Sequence, residues 1–126
     1  MSSKAKGLRV TSIQNYLFPL DRVRNWNHLY GKSGLIQWQF ILPDKETSLL
    51  EEIIMGFSKT SALPALAVLK RCGEASESYL SFCSPGWTLA IDLPATQDSY
   101  RYINKFNSQI ASAEGRVNLA KDSCVD

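Results

Sequence analysis

The stretch Leu35 to Phe40 reads Leu-Ile-Gln-Trp-Gln-Phe, and it restricts the fold of this chain more than any other. Side chains of a strand point alternately to opposite sides, so Ile36, Trp38 and Phe40 share one face while Gln37 and Gln39 share the other. The apolar face requires a roof of helices. The two amides stand about 7 Å apart on the opposite face, each with a donor and an acceptor that suit the hydroxyls of a sugar-like ligand. The alternative is an ordinary solvated sheet face.

The remaining segments supply that roof and more strands. Residues 1–14 are polar and irregular, an edge strand or a tail. From Tyr16 to Tyr30, Pro19 sets an extended entry, Asp21 is placed to cap a short helix, and Val23, Trp26 and Tyr30 recur at helical spacing. His28 falls among the polar positions of that helix, with no partner at ligand spacing, and is expected at the surface. Gly31 to Gly34 turns the chain into the strand at 35–42. Leu49, Leu50, Ile53, Ile54 and Phe57 then mark an amphipathic helix. Ala62 to Arg71, which contains Pro64, reads as a second strand, and Tyr79 to Phe82 as a short extended piece. Trp87, Leu89, Ile91 and Leu93 alternate with Thr88, Ala90 and Asp92 in a third strand. Tyr102, Ile103, Phe106 and Ile110 mark a helix over 97–113, released at Gly115, and Arg116 to Leu119 forms a fourth strand.

The order β-α-β-β-α-β predicts an α+β fold of the split βαβ, ferredoxin-like kind: an antiparallel sheet with two helices on one face. In that topology the first and third strands are central neighbours. Gln37 and Gln39 then lie beside Thr88, Ala90 and Asp92 on the open face, joined by Lys70 from the second strand and Asn118 from the fourth.

Composition narrows the partners. At 126 residues with 44% hydrophobic and 21% charged residues, the chain is expected to form one globular domain. A net charge of +2 is too small to suggest nucleic acid, and Lys4, Lys6 and Arg9 make an ordinary basic terminus. No stretch approaches the ~20 apolar residues that cross a bilayer, and the start has no apolar run of signal-peptide length, so a cytoplasmic location is expected. Cys72, Cys83 and Cys124 are odd in number and lack a Cys-x-x-Cys pair, which indicates neither a disulfide framework nor a zinc site; reduced thiols are the default.

Taken together, several segments resemble the substrate-binding part of the decaprenylphosphoryl-ribose oxidases, flavoenzymes of the vanillyl-alcohol-oxidase type. They are Phe-Pro-Leu-Asp (18–21), Trp-Asn (26–27), Tyr-Gly (30–31), Gln-Trp-Gln-Phe (37–40), Val-Leu-Lys (68–70) and Leu-Ser-Phe (80–82). Pro-Gly-Trp (85–87), Asp-Leu-Pro (92–94) and Gly-Arg-Val-Asn-Leu-Ala-Lys-Asp-Ser (115–123) continue the match in register. The resemblance implies oxidation of a ring hydroxyl of a polyprenyl-phosphate-linked sugar, with hydride passing to FAD and a partner reductase converting the keto sugar to its epimer. It also implies a substrate-binding cap domain over 15–121, residues 122–126 starting a return to a flavin domain, and contact with the inner membrane only through the substrate.

By the same resemblance Gln37, Gln39, Lys70 and Lys121 line the pocket beside the flavin. Lys121 carries the chemistry, as a cation that stabilises alkoxide character while hydride leaves. Thr88, Ala90 and Asn118 stand at positions where the family often has asparagine, cysteine or tyrosine, and Leu17 stands at a family tyrosine beside Tyr16. The chain contains no glycine-rich dinucleotide fingerprint, so FAD is expected to be bound mainly by a separate domain. Two other readings stay open: a non-catalytic ferredoxin-like binding module, and a decayed remnant in which replacing Gln37, Gln39 or Lys121 has no consequence.

Overall fold

A computed structural model describes residues 11–17, 31–78 and 81–122. The expected helix around Val23, Trp26 and Tyr30, the cap at Asp21, the position of His28 and the first half of the extended piece at 79–82 lie outside the described residues. A short exposed helix, α1 (Ile13–Leu17), places Ile13 in a helical turn rather than an alternating extended segment. Four strands follow: β1 (Leu35–Leu42), β2 (Leu66–Cys72), β3 (Gly86–Pro94) and β4 (Arg116–Val117). Helix α2 (Thr47–Gly56) comes between β1 and β2, and α3 (Gln97–Ser112) between β3 and β4. The sheet order is β2-β3-β1-β4 with every neighbouring pair antiparallel. This is the α+β arrangement that the element order predicts.

Alternation in β1 divides the sheet as expected. Ile36, Trp38, Phe40 and Leu42 are buried in one cluster with Leu89, Ile91 and Leu93 of β3, and α2 and α3 roof it with Leu50, Ile53, Tyr102, Ile103, Phe106 and Ile110. Each large side chain so buried contributes on the order of 1.5 to 3 kcal/mol. The Trp38 and Phe40 rings lie 4.7 Å apart, and the indole N–H of Trp38 donates to Asn107 Oδ1 on α3 at 3.1 Å. Ile54, expected in the apolar stripe of α2, is instead largely exposed; the buried face runs through Leu50, Ile53 and, just beyond the helix, Phe57.

Two strands are shorter than their patterns suggest. β2 begins at Leu66 rather than Ala62. Pro64 has no N–H to give to a ladder, and the first link to β3 on this side is the Ala65 N–H bond to the Asp92 carbonyl at 2.9 Å. β4 ends at Val117 rather than Leu119, for a reason that belongs to the site below. Helix α3 is capped by Thr96, whose side chain accepts the Ser99 N–H, and its C-terminus leaves through Glu114 at φ 57°. Gly115, where the helix was expected to be released, is needed for space instead. A Cβ there would sit 2.7 Å from both the Ile41 carbonyl oxygen and Ile110 Cγ2.

Tyr102 joins the two helices. Its hydroxyl donates to the Ile53 carbonyl at 2.5 Å and its ring stacks on Phe57 at 4.6 Å. Burial, reinforced by the charge of Glu52, pushes its hydroxyl up to about 12. An unfolded tyrosine ionises near pH ~10, so this contribution to stability is full below that value and is lost as pH rises through the folded value. Tyr102→Phe is expected to cost about 1 kcal/mol at neutral pH through the lost hydrogen bond. It should also flatten the loss of stability above pH ~10, as read from urea midpoints of both proteins at neutral and alkaline pH.

Candidate functional site

The face turned away from the helices is laid out in rows across the strands. Leu66, Asp92 and Gln37 form one row, Val68, Ala90 and Gln39 the next, and Lys70, Thr88, Ile41 and Arg116 the third. Asn118 adds to the middle row, because its N–H donates to the Gln39 carbonyl at 2.8 Å. All the strand-borne candidates from the sequence therefore lie on one surface. Thr88 and Asp92 are buried, Gln37, Gln39, Ala90 and Asn118 are half-buried, and Lys70 is exposed.

Three of these side chains form a directed ladder. The Asn118 amide donates to Gln39 Oε1 at 2.8 Å, the Gln39 amide donates to Thr88 Oγ1 at 3.2 Å, and the Thr88 hydroxyl donates to the Phe40 carbonyl at 2.8 Å. The last bond fixes the others. With its only proton committed to a carbonyl, the Thr88 oxygen must accept, so Gln39 presents nitrogen to Thr88 and oxygen to Asn118. Gln37 is oriented separately by donating to Asp92 Oδ1 at 2.9 Å. Each glutamine amide thus has a fixed direction, with donor and acceptor capacity left for a ligand. Ala90 adds only a methyl group beside Gln39, which leaves the surface flat there.

Beyond β4 the chain stays on the edge of β1 but loses regular register. Val117 opposite Phe40 would, if continued, bring Ala120 opposite Gln37. Instead Asp122 arrives there: its N–H donates to the Gln37 carbonyl at 3.1 Å and its carboxylate accepts the Gln37 N–H at 2.9 Å. Two residues are therefore looped out. The Asn118 side chain steadies the loop by accepting the Ala120 N–H at 3.0 Å, and its carbonyl accepts the Lys121 N–H at 3.1 Å. Lys121 is thereby placed on an exposed bulge anchored at both ends to the strand that carries the glutamines. Bulges of this kind re-aim side chains beside sites.

Lys70 lies on the same face, across β3 from the glutamines and beside Thr88. Two strand spacings, about 10 Å, separate it from β1. A cleft of about 740 Å³ adjoins the opposite edge, lined by Ser76, Ser81, Phe82, Asn107, Arg116 and Asn118 among others. Asn118 belongs to both the ladder and the cleft. Sequence reasoning missed Asp122 as the clamp of the bulge and Arg116 as part of the cleft wall; nothing in the local pattern signals either. Among the described residues, no group of three His, Cys, Asp or Glu side chains is placed to hold a metal ion, and no helix is long and apolar enough to cross a membrane.

The chain is 29% identical, over 115 residues, to decaprenylphosphoryl-beta-D-ribose oxidase of Mycolicibacterium smegmatis, a match covering 91% of this chain and 25% of that protein. The chain is related to part of an oxidase. It is also 41% identical over 105 residues to an uncharacterized protein in the mprA 5′ region of Streptomyces coelicolor, covering 82% of this chain and 29% of that one. The chain thus spans 25% and 29% of the length of these two relatives. No protein-family model matches it.

Proposed function

We propose that this chain is the substrate-binding portion of an FAD-dependent oxidoreductase that oxidises a hydroxyl of a sugar, carried on a polyprenyl phosphate. The observation that carries the reading is the oriented ladder of Asn118, Gln39 and Thr88 beside the bulge that bears Lys121, in a chain related to an oxidase of a decaprenylphosphoryl sugar. Among the described residues, neither α2 nor α3 is entered through a glycine-rich turn of the kind that cradles dinucleotide phosphates; Pro43–Glu46 and Ala95–Thr96 precede them. These residues offer no such cradle for the FAD phosphates, and the proposal assigns FAD binding mainly to a separate domain. Bound there, FAD supplies the two-electron oxidant.

The residues of this chain bind and orient. Gln37 and Gln39 hold two ring hydroxyls through amides whose direction is already fixed, so little rotamer entropy is lost on binding. Ala90 lets the ring lie flat. Lys121 places a cation beside the hydroxyl that reacts and stabilises its alkoxide character. Lys70, about 10 Å from β1, meets the phosphate end of the substrate rather than the sugar. A keto-sugar reductase then takes the product.

The test is an NMR titration of the chain with a ribosyl phosphate. Shifts are expected at the side-chain amides of Gln37, Gln39 and Asn118, and Gln39→Leu should weaken binding roughly tenfold, the worth of about one well-placed hydrogen bond. Shifts confined to the helical face would reject the reading. Joining the chain to the flavin-binding portion of the Mycolicibacterium relative tests the chemistry: turnover lost in Lys121→Met supports the oxidoreductase, whereas sugar binding without any turnover identifies a non-catalytic binding module.

A further inference from the structure

Cys72 ends β2, half-buried and opposite Gly86, and Cys83 is exposed in the segment that leads into β3. The two are 11 positions apart in sequence, yet their sulfurs lie 3.8 Å from each other. A disulfide needs the sulfurs at ~2.05 Å, so a closure of under about 2 Å is required, within reach of a side-chain rotation at Cys83, which no helix or strand restrains. We propose that Cys72 and Cys83 are a redox modification site, forming a reversible intramolecular disulfide that ties the end of β2 to the segment entering β3.

The cross-link acts on the cleft wall. Ser81 and Phe82, immediately before Cys83, both line the cleft, and the Ser81 carbonyl accepts from Arg116 Nη1 at 2.8 Å. Fixing Cys83 against β2 fixes these residues, and through Arg116 the start of β4, next to Asn118. The inference stands on this geometry alone and does not depend on the proposed oxidoreductase role.

The oxidant is a low-molecular-weight disulfide such as glutathione disulfide. The exposed Cys83 thiolate attacks one of its sulfurs, forming a mixed disulfide and releasing one thiolate. Cys72 then attacks Cys83 Sγ, the new Sγ–Sγ bond forms as the mixed disulfide breaks, and the second thiolate leaves. Two protein thiols are oxidised, one small disulfide is reduced to two thiols, and the protein's two protons end on the two departing small thiolates. Burial, together with the neighbouring Cys83 thiol, pushes the Cys72 thiol up, with Lys70 opposing. This fits Cys72 as the second, resolving thiol rather than the first to react.

The full chain, equilibrated in glutathione buffers of graded redox ratio, quenched by alkylation and weighed intact, tests the proposal. The expected result is a species lacking two hydrogens with one alkylated cysteine, Cys124. Cleavage at Glu74 and Glu77, which lie between the paired cysteines, should leave two peptides joined until reduction. Cys72→Ser and Cys83→Ser should each abolish that species, and Cys124→Ser should keep the loss of two hydrogens with no alkylated cysteine. Glutathione adducts on separate cysteines, links through Cys124, or links between chains in place of the intramolecular bond would overturn the proposal. Because Cys83 is exposed, its serine variant keeps the test independent of folding.

Discussion

Replacing Trp38 by alanine is expected to remove a large part of the stability of this chain. Trp38 is fully buried, its ring lies 4.7 Å from Phe40, and its indole N–H bonds Asn107 on α3. Truncating a buried aromatic to alanine costs about 3 to 5 kcal/mol through lost burial and the cavity left behind, and the lost hydrogen bond adds about 1. Set against the 5 to 15 kcal/mol of a typical domain, the variant should be marginal at room temperature, with a Tm lower by on the order of 15 °C. Trp38→Phe keeps most of the ring and loses the indole bond, so it should recover more than half of the loss. Thermal melts followed by far-UV circular dichroism measure both. A Trp38→Ala protein with near-normal Tm would contradict the placement of β1 at the centre of the core. The proposed site is affected too, since Trp38 anchors the strand from which Gln37 and Gln39 project.

Gly86→Ala should be the most damaging of the small substitutions. Gly86 starts β3 at φ +153°, where a side chain is strained, and an added Cβ would run into the Leu42 carbonyl oxygen and stand 3.1 Å from Pro43 Cα. Both obstacles are backbone, with no flexible end to swing aside. Strain of this kind costs about 1 to 3 kcal/mol by itself, and shifting β1 against β3 adds to it, so a total of at least about 3 kcal/mol is expected. Gly34 is the control. It also has positive φ, 81°, but nothing lies within 4 Å of where its Cβ would be, so Gly34→Ala should cost only about 1 to 2 kcal/mol. Urea midpoints of the two variants should separate clearly, and equal midpoints would mean that the close approach at Leu42 is not maintained in solution.

Sequence patterns carried different parts of the molecule to different depths. Period-two alternation at 35–42 and 87–93 gave the strands and the correct face of each residue, because the direction of a strand side chain depends only on its place in its own strand. The spacing of Leu50, Ile53 and Phe57, and of Tyr102, Ile103, Phe106 and Ile110, located the helices and their buried stripe for the same local reason. Ile54 escaped that logic, since packing against one particular sheet selects which flank of the stripe is covered.

What the sequence determined by itself was therefore the α+β class, the order of the elements, the core face of β1, and the presence of Gln37, Gln39, Thr88, Ala90, Lys70 and Asn118 on the one side of the sheet turned away from the helices. Tertiary structure alone decided which of them touch. The ladder exists because β4 lies on the outer side of β1 and β3 on the inner, and its direction follows from a Thr88 hydroxyl spent on the Phe40 carbonyl. The two-residue loop that sets out Lys121 follows from Asp122 clamping Gln37 across 85 positions. The meeting of Cys72 with Cys83 likewise depends on how the segment after β2 returns to β3. Hydrophobic periodicity is a local property of the chain, whereas hydrogen-bond partnership and close approach arise between segments distant in sequence and are fixed only once the sheet is assembled.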